Sequence, residues 1–186
     1  MKPILPLLFG ALASSLSWAS PAPLLQSEAR QAVQALAGRL QTEMKSAMQE
    51  GGPVQAIHAC NTRALPLTEQ ISQEQGLEIS RTALRVRNPE NQPDAWEAQV
   101  LQRFLERQQA GEPLKGMTHS EIVEEEGRKV FRMLQAIPTQ TQCLGCHGDQ
   151  LDPKVADKID GLYPEDKARG FKAGELRGAF SIRRVM

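Results

Sequence analysis

Cys143, Cys146 and His147 form a C-x-x-C-H pentapeptide, the spacing at which haem is attached covalently to a protein. Each thiol can form a thioether with a vinyl group on one edge of the porphyrin, and the imidazole that follows can bind the iron. Leu144 and Gly145 are compact enough to let the loop fold under the ring. The pentapeptide therefore predicts one covalent c-type haem, with Cys143 and Cys146 as anchors and His147 as an axial iron ligand.

The same two cysteines would also suit a thioredoxin-like redox pair, half of a zinc site or a local disulfide. A zinc site needs a second pair of ligands at similar spacing, whereas Cys60, His58 and His119 are widely scattered in the sequence. A redox pair usually lies between a strand and a helix of a βαβ unit, which gives no reason for a histidine to follow at once. The motif and the N-terminus together favour haem attachment.

The first residues are typical of a secretory signal peptide. Lys2 precedes an apolar run over 4–16, and small residues suited to cleavage follow at 17–22. The run is short for a transmembrane helix, which argues against an uncleaved anchor. We expect a signal peptide over residues 1–19, with cleavage after Ala22 as the second choice, and export to a bacterial periplasm, where c-type haem is attached. No later segment is apolar enough to span a membrane.

Residues 20–186 match the size of one ordinary domain, which we expect to bury a single core. The chain carries 22 basic and 22 acidic residues and no charged tail. Neither nucleic acid nor an anionic membrane is therefore suggested as a partner. Aromatic residues make up only 4% of the chain, so packing must come mainly from aliphatic side chains and, on this interpretation, from the porphyrin. We expect a redox or signalling protein of unknown identity as the partner.

Two helices are predicted before any strand. Apolar residues at helical spacing predict an amphipathic helix over 28–50, a glycine turn at 51–52 and a second helix that begins at Pro53. On the second helix, Cys60 lies on the apolar stripe and is expected to face inward, whereas His58 is expected to face solvent.

Residues 77–87 have the composition of a β-strand, on which Arg81, Arg85 and Arg87 would share one face. Guanidinium groups pair well with carboxylates, so binding of haem propionates is one interpretation of these arginines. A solvated strand face is the favoured one.

The remaining elements alternate between helix and strand. The expected order is a helix capped by Asp94 and Glu97 and ending near Gly111, a hairpin over 121–137 that turns at Gly127, a short helix from Asp152 and a closing strand over 176–182. Helices first, then mainly antiparallel strands with helical insertions, predict an α+β domain.

The second axial position of the iron needs its own ligand. Two of the three cysteines are used by the thioethers, which leaves Cys60 as a free thiol in an oxidising compartment. Ferric iron would deprotonate this thiol and bind it as a thiolate. From spacing alone, an iron ligand and a small buried hydrophobic residue are equally favoured for Cys60. His58 and His119 are better explained as surface residues, and Met133 as a core residue.

Four stretches together resemble one family, the small exported c-type haem domains with a PAS-like fold, long described as a domain of unknown function and represented by a cyanobacterial haem protein. The matching stretches are 56–60, 81–97, 143–148 and 163–179. The resemblance implies a PAS-like antiparallel sheet flanked by N-terminal and inserted helices. It also implies His/Cys ligation of the iron, in which Cys60 matches the cysteine ligand of the family.

Iron with both axial positions filled leaves no open site for a substrate, so we expect no enzyme. A redox or small-ligand sensor, in which loss or exchange of the Cys60 ligand switches the protein, is the favoured function, and the PAS-like fold suggests it by analogy. A periplasmic electron-transfer cytochrome is the alternative. A haem peroxidase-type enzyme is a weaker alternative, because it would need a vacant or labile sixth position.

Overall fold

The computed structural model describes residues 21–186, so the predicted signal peptide over 1–19 lies outside the described residues. The main elements are α1 Pro21–Gln75, β1 Glu78–Thr82, α2 Ala95–Gln109, β2 Thr118–Glu125, β3 Arg128–Pro138, α3 Leu144–His147, α4 Pro153–Leu162 and β4 Leu176–Val185. Short 3-10 turns occur at Pro89–Asn91 and Thr141–Cys143. Within residues 21–186, no helix combines the length and apolar character needed to cross a membrane.

Two antiparallel arms make up α1, which is a helical hairpin. The backbone leaves helical geometry only at Gly51 and Gly52, and Gly52 has φ 70° and ψ −160°. An ion pair joins Glu43 on the first arm to Arg63 on the second. Near the turn, the arms meet through three small side chains, Ala47, Ala56 and Ala59. The prediction of two helices separated by a glycine turn is confirmed.

Four antiparallel strands form one sheet in the order β1-β4-β3-β2. β2 and β3 form the predicted hairpin, whose turn residues Glu126 and Gly127 both have positive φ, 52° and 75°. One face of the sheet packs against α1 and the other against α2. The α+β prediction is therefore confirmed, whereas the PAS-like description stays a prediction.

The predicted strand over 77–87 is wrong in its length. β1 ends at Thr82, and the amide of Ala83 donates instead to the carbonyl of Asn91 at 3.3 Å. The chain therefore leaves the sheet before the second half of the expected strand. Of the three arginines predicted to share a strand face, only Arg81 lies in the strand.

The capping box predicted from Asp94 and Glu97 begins α2. The carboxylate of Asp94 accepts from the Glu97 amide at 2.8 Å, and the carboxylate of Glu97 accepts from the Asp94 amide at 3.2 Å. Arg132 of β3 donates to Asp94 at 2.6 Å and to Glu125 at 3.2 Å, and its guanidinium lies 4.3 Å from the centre of the Trp96 ring. These contacts tie the start of α2 to the sheet.

Gly52→Ala should lower the free energy of unfolding by about 1–3 kcal/mol, because the backbone region of Gly52 is essentially restricted to glycine. Gly38→Ala is the matched control: Gly38 lies in the first helical arm, and an added Cβ would meet nothing within 4 Å. We expect the control to be neutral or to stabilise by up to about 1 kcal/mol. Urea unfolding followed by circular dichroism measures both variants. Equal effects would contradict a turn that depends on Gly52.

Candidate functional site

The C-x-x-C-H residues form one continuous helical turn. The 3-10 turn over Thr141–Cys143 runs directly into α3. Because successive helical residues are rotated by about 100°, residues three positions apart lie on the same side of a turn. Cys143 and Cys146 are therefore presented together, and both are free thiols of intermediate exposure. The local disulfide considered from the sequence is absent from the structure of this segment.

The imidazole of His147 is oriented through its Nδ1 atom, which lies 2.8 Å from the carbonyl oxygen of Ala168. A carbonyl only accepts hydrogen bonds, so Nδ1 carries the proton and Nε2 is left as the metal-binding nitrogen. Burial and the positive charges of Arg177 and Arg87 lower the pKa of His147 to about 3. The ring is therefore neutral, which is the form that binds a metal.

Arg87 and Asp166 form a buried ion pair that holds the loop over 166–171 against the motif. The guanidinium meets the two carboxylate oxygens at 3.1 and 3.2 Å. It also donates to the carbonyls of Cys146 at 2.7 Å and Ala168 at 3.2 Å. Only 2% of the Asp166 side chain is exposed. Burial would raise the pKa of Asp166, but hydrogen bonds from Arg87 and Arg169 outweigh it and hold that pKa below its ordinary value.

The other two arginines of the predicted strand face have different surroundings. Arg85 donates from Nε to the carbonyl of Lys167 at 3.2 Å, and its guanidinium lies 4.1 Å from the centre of the Phe171 ring. Burial lowers the pKa of Arg81, which interacts electrostatically with Cys60 and Tyr163. The three arginines therefore occupy three separate positions and do not share one face. Of the three, Arg81 has the largest electrostatic effect on the Cys60 thiol.

Cys60 lies on the second arm of α1 and is exposed, so the prediction that it faces inward is wrong. The buried positions beside it are Ile57 and Ala59, because this arm packs against both α4 and the first arm. Atoms of the surrounding protein still raise the pKa of the Cys60 thiol, against the opposing charge of Arg81. His58 is exposed, as predicted.

The second arm of α1 and the motif border the same region. Ile57 packs with Val155 and Ile159 of α4, and Cys146 lies against this apolar cluster. Burial raises the pKa of the Cys146 thiol, and nearby Cys60 raises it further. The fold thus brings Cys60 and the pentapeptide together from distant parts of the sequence.

His119 and Met133 belong to other parts of the molecule. His119 contacts Glu121 at 3.1 Å, and its ring centre lies 6.0 Å from that of Trp96. Met133 is fully buried in the core between the sheet and α1. The surface and core roles favoured from the sequence therefore agree with their positions. Within residues 21–186, no cluster of three or more His, Cys, Asp or Glu side chains is arranged to hold a bare metal ion.

Sequence reasoning missed Asp166, Ala168 and Arg177. Ala168 contributes only its carbonyl, and side-chain type carries no signal for that role. Asp166 stands between Glu165 and Lys167 in a mixed-charge stretch, where an exposed carboxylate is the ordinary expectation. All three residues lie within the stretch 163–179 that resembles the haem-domain family. This resemblance was the one sequence feature that could have indicated their importance.

The donor set fits a c-type haem. Two free thiols lie on one side of a helical turn, and the neutral imidazole that follows has its Nδ1 atom bound and its Nε2 atom available. Cys60, on α1, is a third free thiol.

Comparison with known proteins points to one family. No curated protein matches the chain. A solved structure described as the crystal structure of the cyanobacterial heme-protein Tll0287 aligns with a TM-score of 0.60 and 25% sequence identity, covering 90% of this chain and 98% of that chain. The model of the Tll0287-like family matches residues 23–184, which include Cys60, the pentapeptide and Asp166. Because this match spans most of the sequence, the chain belongs to the Tll0287-like family.

Proposed function

We propose that this protein is an exported monohaem c-type haem protein that acts as a redox or small-ligand sensor. The observation that carries the proposal is the C-x-x-C-H turn, which presents two free thiols beside a neutral imidazole anchored through Nδ1. The family match and the likeness to a protein described as a heme-protein support it. The export, the single domain and the PAS-like character are predictions from the sequence.

Four side chains would hold the haem. Cys143 and Cys146 would form the thioethers, and Nε2 of His147 and the sulfur of Cys60 would bind the iron. The bound group would supply an iron that changes between ferric and ferrous states. Desolvation by the surrounding protein atoms favours the neutral thiol of Cys60 and raises its pKa, whereas the charge of Arg81 favours the anionic form.

The two proposed ligands are held with different firmness, which favours a sensor. His147 is fixed through Ala168 and the Arg87–Asp166 pair. Cys60 lies at an exposed position of a helix arm and has no comparable anchor among its described contacts. Cys60 is therefore the ligand that a change of redox state or a competing small molecule would displace.

An electron-transfer cytochrome is the second candidate. Its support is the proposed pair of ligands, because iron with both axial positions filled leaves no open site for a substrate and is left with redox work. A peroxidase-type enzyme remains the weaker alternative, because it requires an open axial position.

Replacing Cys143 and Cys146 together by alanine should abolish covalent haem attachment, because no thioether can then form. Protein matured in a bacterial periplasm should show c-type absorption bands and keep its haem during denaturing electrophoresis, and the double variant should do neither. Cys60→Ala is the control and should retain covalent haem. Wild-type protein without c-type bands would overturn the proposed function.

Cys60→Ala should change the ferric EPR spectrum and raise the reduction potential, because an anionic thiolate stabilises ferric iron. His58→Ala is the matched control, since it removes an exposed side chain two positions away on the same helix. A Cys60→Ala spectrum identical to that of wild type would show that Cys60 is not an iron ligand.

A second experiment separates the sensor from the electron carrier. In wild-type protein, displacement of a ligand by CO, NO or sulfide at physiological concentration supports the sensor, whereas an inert site with rapid electron exchange supports the carrier.

Asp166→Asn should lower the free energy of unfolding by about 3 kcal/mol near neutral pH, because it leaves the buried Arg87 guanidinium without its carboxylate. The pKa of Asp166 is depressed from its ordinary 3.8 in the folded protein, so the unfolded state binds more protons in the acid range. Wild-type stability should therefore fall as the pH drops through this region, and the variant should lack that component.

Urea unfolding measured from neutral to acidic pH tests the role of the pair. Asp157→Asn, which changes an exposed carboxylate on α4, is the control and should shift stability by less than about 0.5 kcal/mol. Equal losses in the two variants would show that Asp166 has no special role.

A further inference from the structure

A cleft of about 490 Å³ lies between the C-terminal half of α2 and the start of β4. Its apolar walls are formed by Leu84, Leu101, Leu105 and Phe171. The volume falls in the range of pockets that bind small molecules, roughly 300–1,000 Å³. The proposed haem ligands do not line this cleft.

Two guanidinium groups lie in the same cleft. Arg85 is 4.1 Å and Arg177 is 5.3 Å from the centre of the Phe171 ring. Nε of Arg177 is buried and has no hydrogen-bond partner among the described residues, while its Nη1 donates to the carbonyl of Arg85 at 3.3 Å. Because that Nε atom is enclosed by protein, a ligand in the cleft would reach the outer nitrogens of the two guanidinium groups instead. Among the described residues, Arg85 donates only through Nε and Arg177 only through Nη1, which leaves the other Nη atoms to an anionic acceptor.

The acidic side chain that lines the cleft, Glu175, balances only one of the two guanidinium charges. Its carboxylate also accepts a hydrogen bond from the Lys172 amide at 3.0 Å, which directs it toward its own turn. Burial and the nearby charges of Arg87 and Arg81 lower the pKa of Arg177 to about 10. Positive charge therefore exceeds negative charge beside an apolar wall.

We propose that this cleft binds a small organic carboxylate, with its apolar body against Phe171 and the leucines and its carboxylate paired with Arg85 and Arg177. Guanidinium and carboxylate groups match each other through charge-assisted hydrogen bonds. An inorganic anion would leave the apolar walls unused, and a neutral ligand would leave the guanidinium charges unpaired.

Phe171 connects the cleft to His147. The two rings meet edge-on, with centres 6.4 Å apart and planes at 88°, and the Phe171 amide donates to the His147 carbonyl at 2.9 Å. A carboxylate that neutralises Arg177 would reduce the positive charge near His147 and favour ferric iron. This coupling rests on the proposed function, whereas binding in the cleft does not.

Calorimetric titration of the haem-loaded protein with hexanoate tests the binding. We expect saturable binding that Arg177→Gln and Arg85→Gln each weaken about tenfold or more, since a hydrogen bond to a charged group is worth about 1.5–3 kcal/mol. Leu105→Trp should block binding by filling the cleft. Hexanol, the neutral analogue, should bind at least about tenfold more weakly than hexanoate. Arg128→Gln, at an exposed position of the β2–β3 hairpin, is the control and should bind as wild type does.

Failure of hexanoate to saturate the wild-type protein, equal binding of hexanol, or equal weakening by Arg128→Gln would overturn the proposal. Binding to the haem-free double cysteine variant but not to the haem-loaded protein would assign the cleft to the propionates of the haem itself, which also overturns it. Hexanoate should make the reduction potential of wild-type protein more negative but leave that of Arg177→Gln unchanged. If the wild-type protein showed no haem bands, the proposed function would be overturned. Calorimetry on that same protein would still show whether the cleft binds hexanoate.

Discussion

The ion pair between Arg87 and Asp166 is the interaction on which the candidate site depends. It joins the loop after β1, the C-x-x-C-H turn and the loop over 166–171, because one guanidinium meets a carboxylate and two backbone carbonyls. Such a pair is sensitive to the loss of either partner, since the remaining charge would be buried alone. The Arg87 guanidinium also fixes the carbonyl of Ala168. That carbonyl accepts the hydrogen bond from Nδ1 of His147 and so sets the orientation of the imidazole.

Different kinds of interaction position the two sides of the proposed haem site. Charged hydrogen bonds hold the side of His147, whereas apolar contact positions the side of Cys60, through Ile57 packed on α4. A helix arm held by dispersion and burial can shift by small amounts at lower cost than a buried charged pair can be broken. On the proposed function, this difference would leave His147 as the firmly held ligand and Cys60 as the exchangeable one, which is the basis of the sensor proposal.

Features that depend on local backbone chemistry could be predicted from the sequence. The turn at Gly52, the capping box at Asp94 and the hairpin turn at Gly127 are all found where expected. The end of the strand predicted over 77–87 could not be located, because the Ala83 amide leaves the sheet to bond the carbonyl of Asn91, a contact that no alternating pattern indicates. The predicted orientation of Cys60 was wrong because the second arm of α1 packs against two neighbours, α4 and the first arm. A single apolar stripe describes contact with only one neighbour. The Arg87–Asp166 pair spans 79 positions, beyond any local pattern.

The order of the strands has a consequence for how the chain acquires its fold. β4 is the last strand in the sequence, yet it lies between β1 and β3. A chain that emerges from its N-terminus can form the helical hairpin and the β2–β3 hairpin early, but β1 has no neighbour in the sheet until residues 176–185 arrive. During that interval the Cys143 and Cys146 thiols already exist in a chain whose sheet is still open. The position of one strand thus makes closure of the sheet the last step of chain synthesis, after the C-x-x-C-H turn has been made.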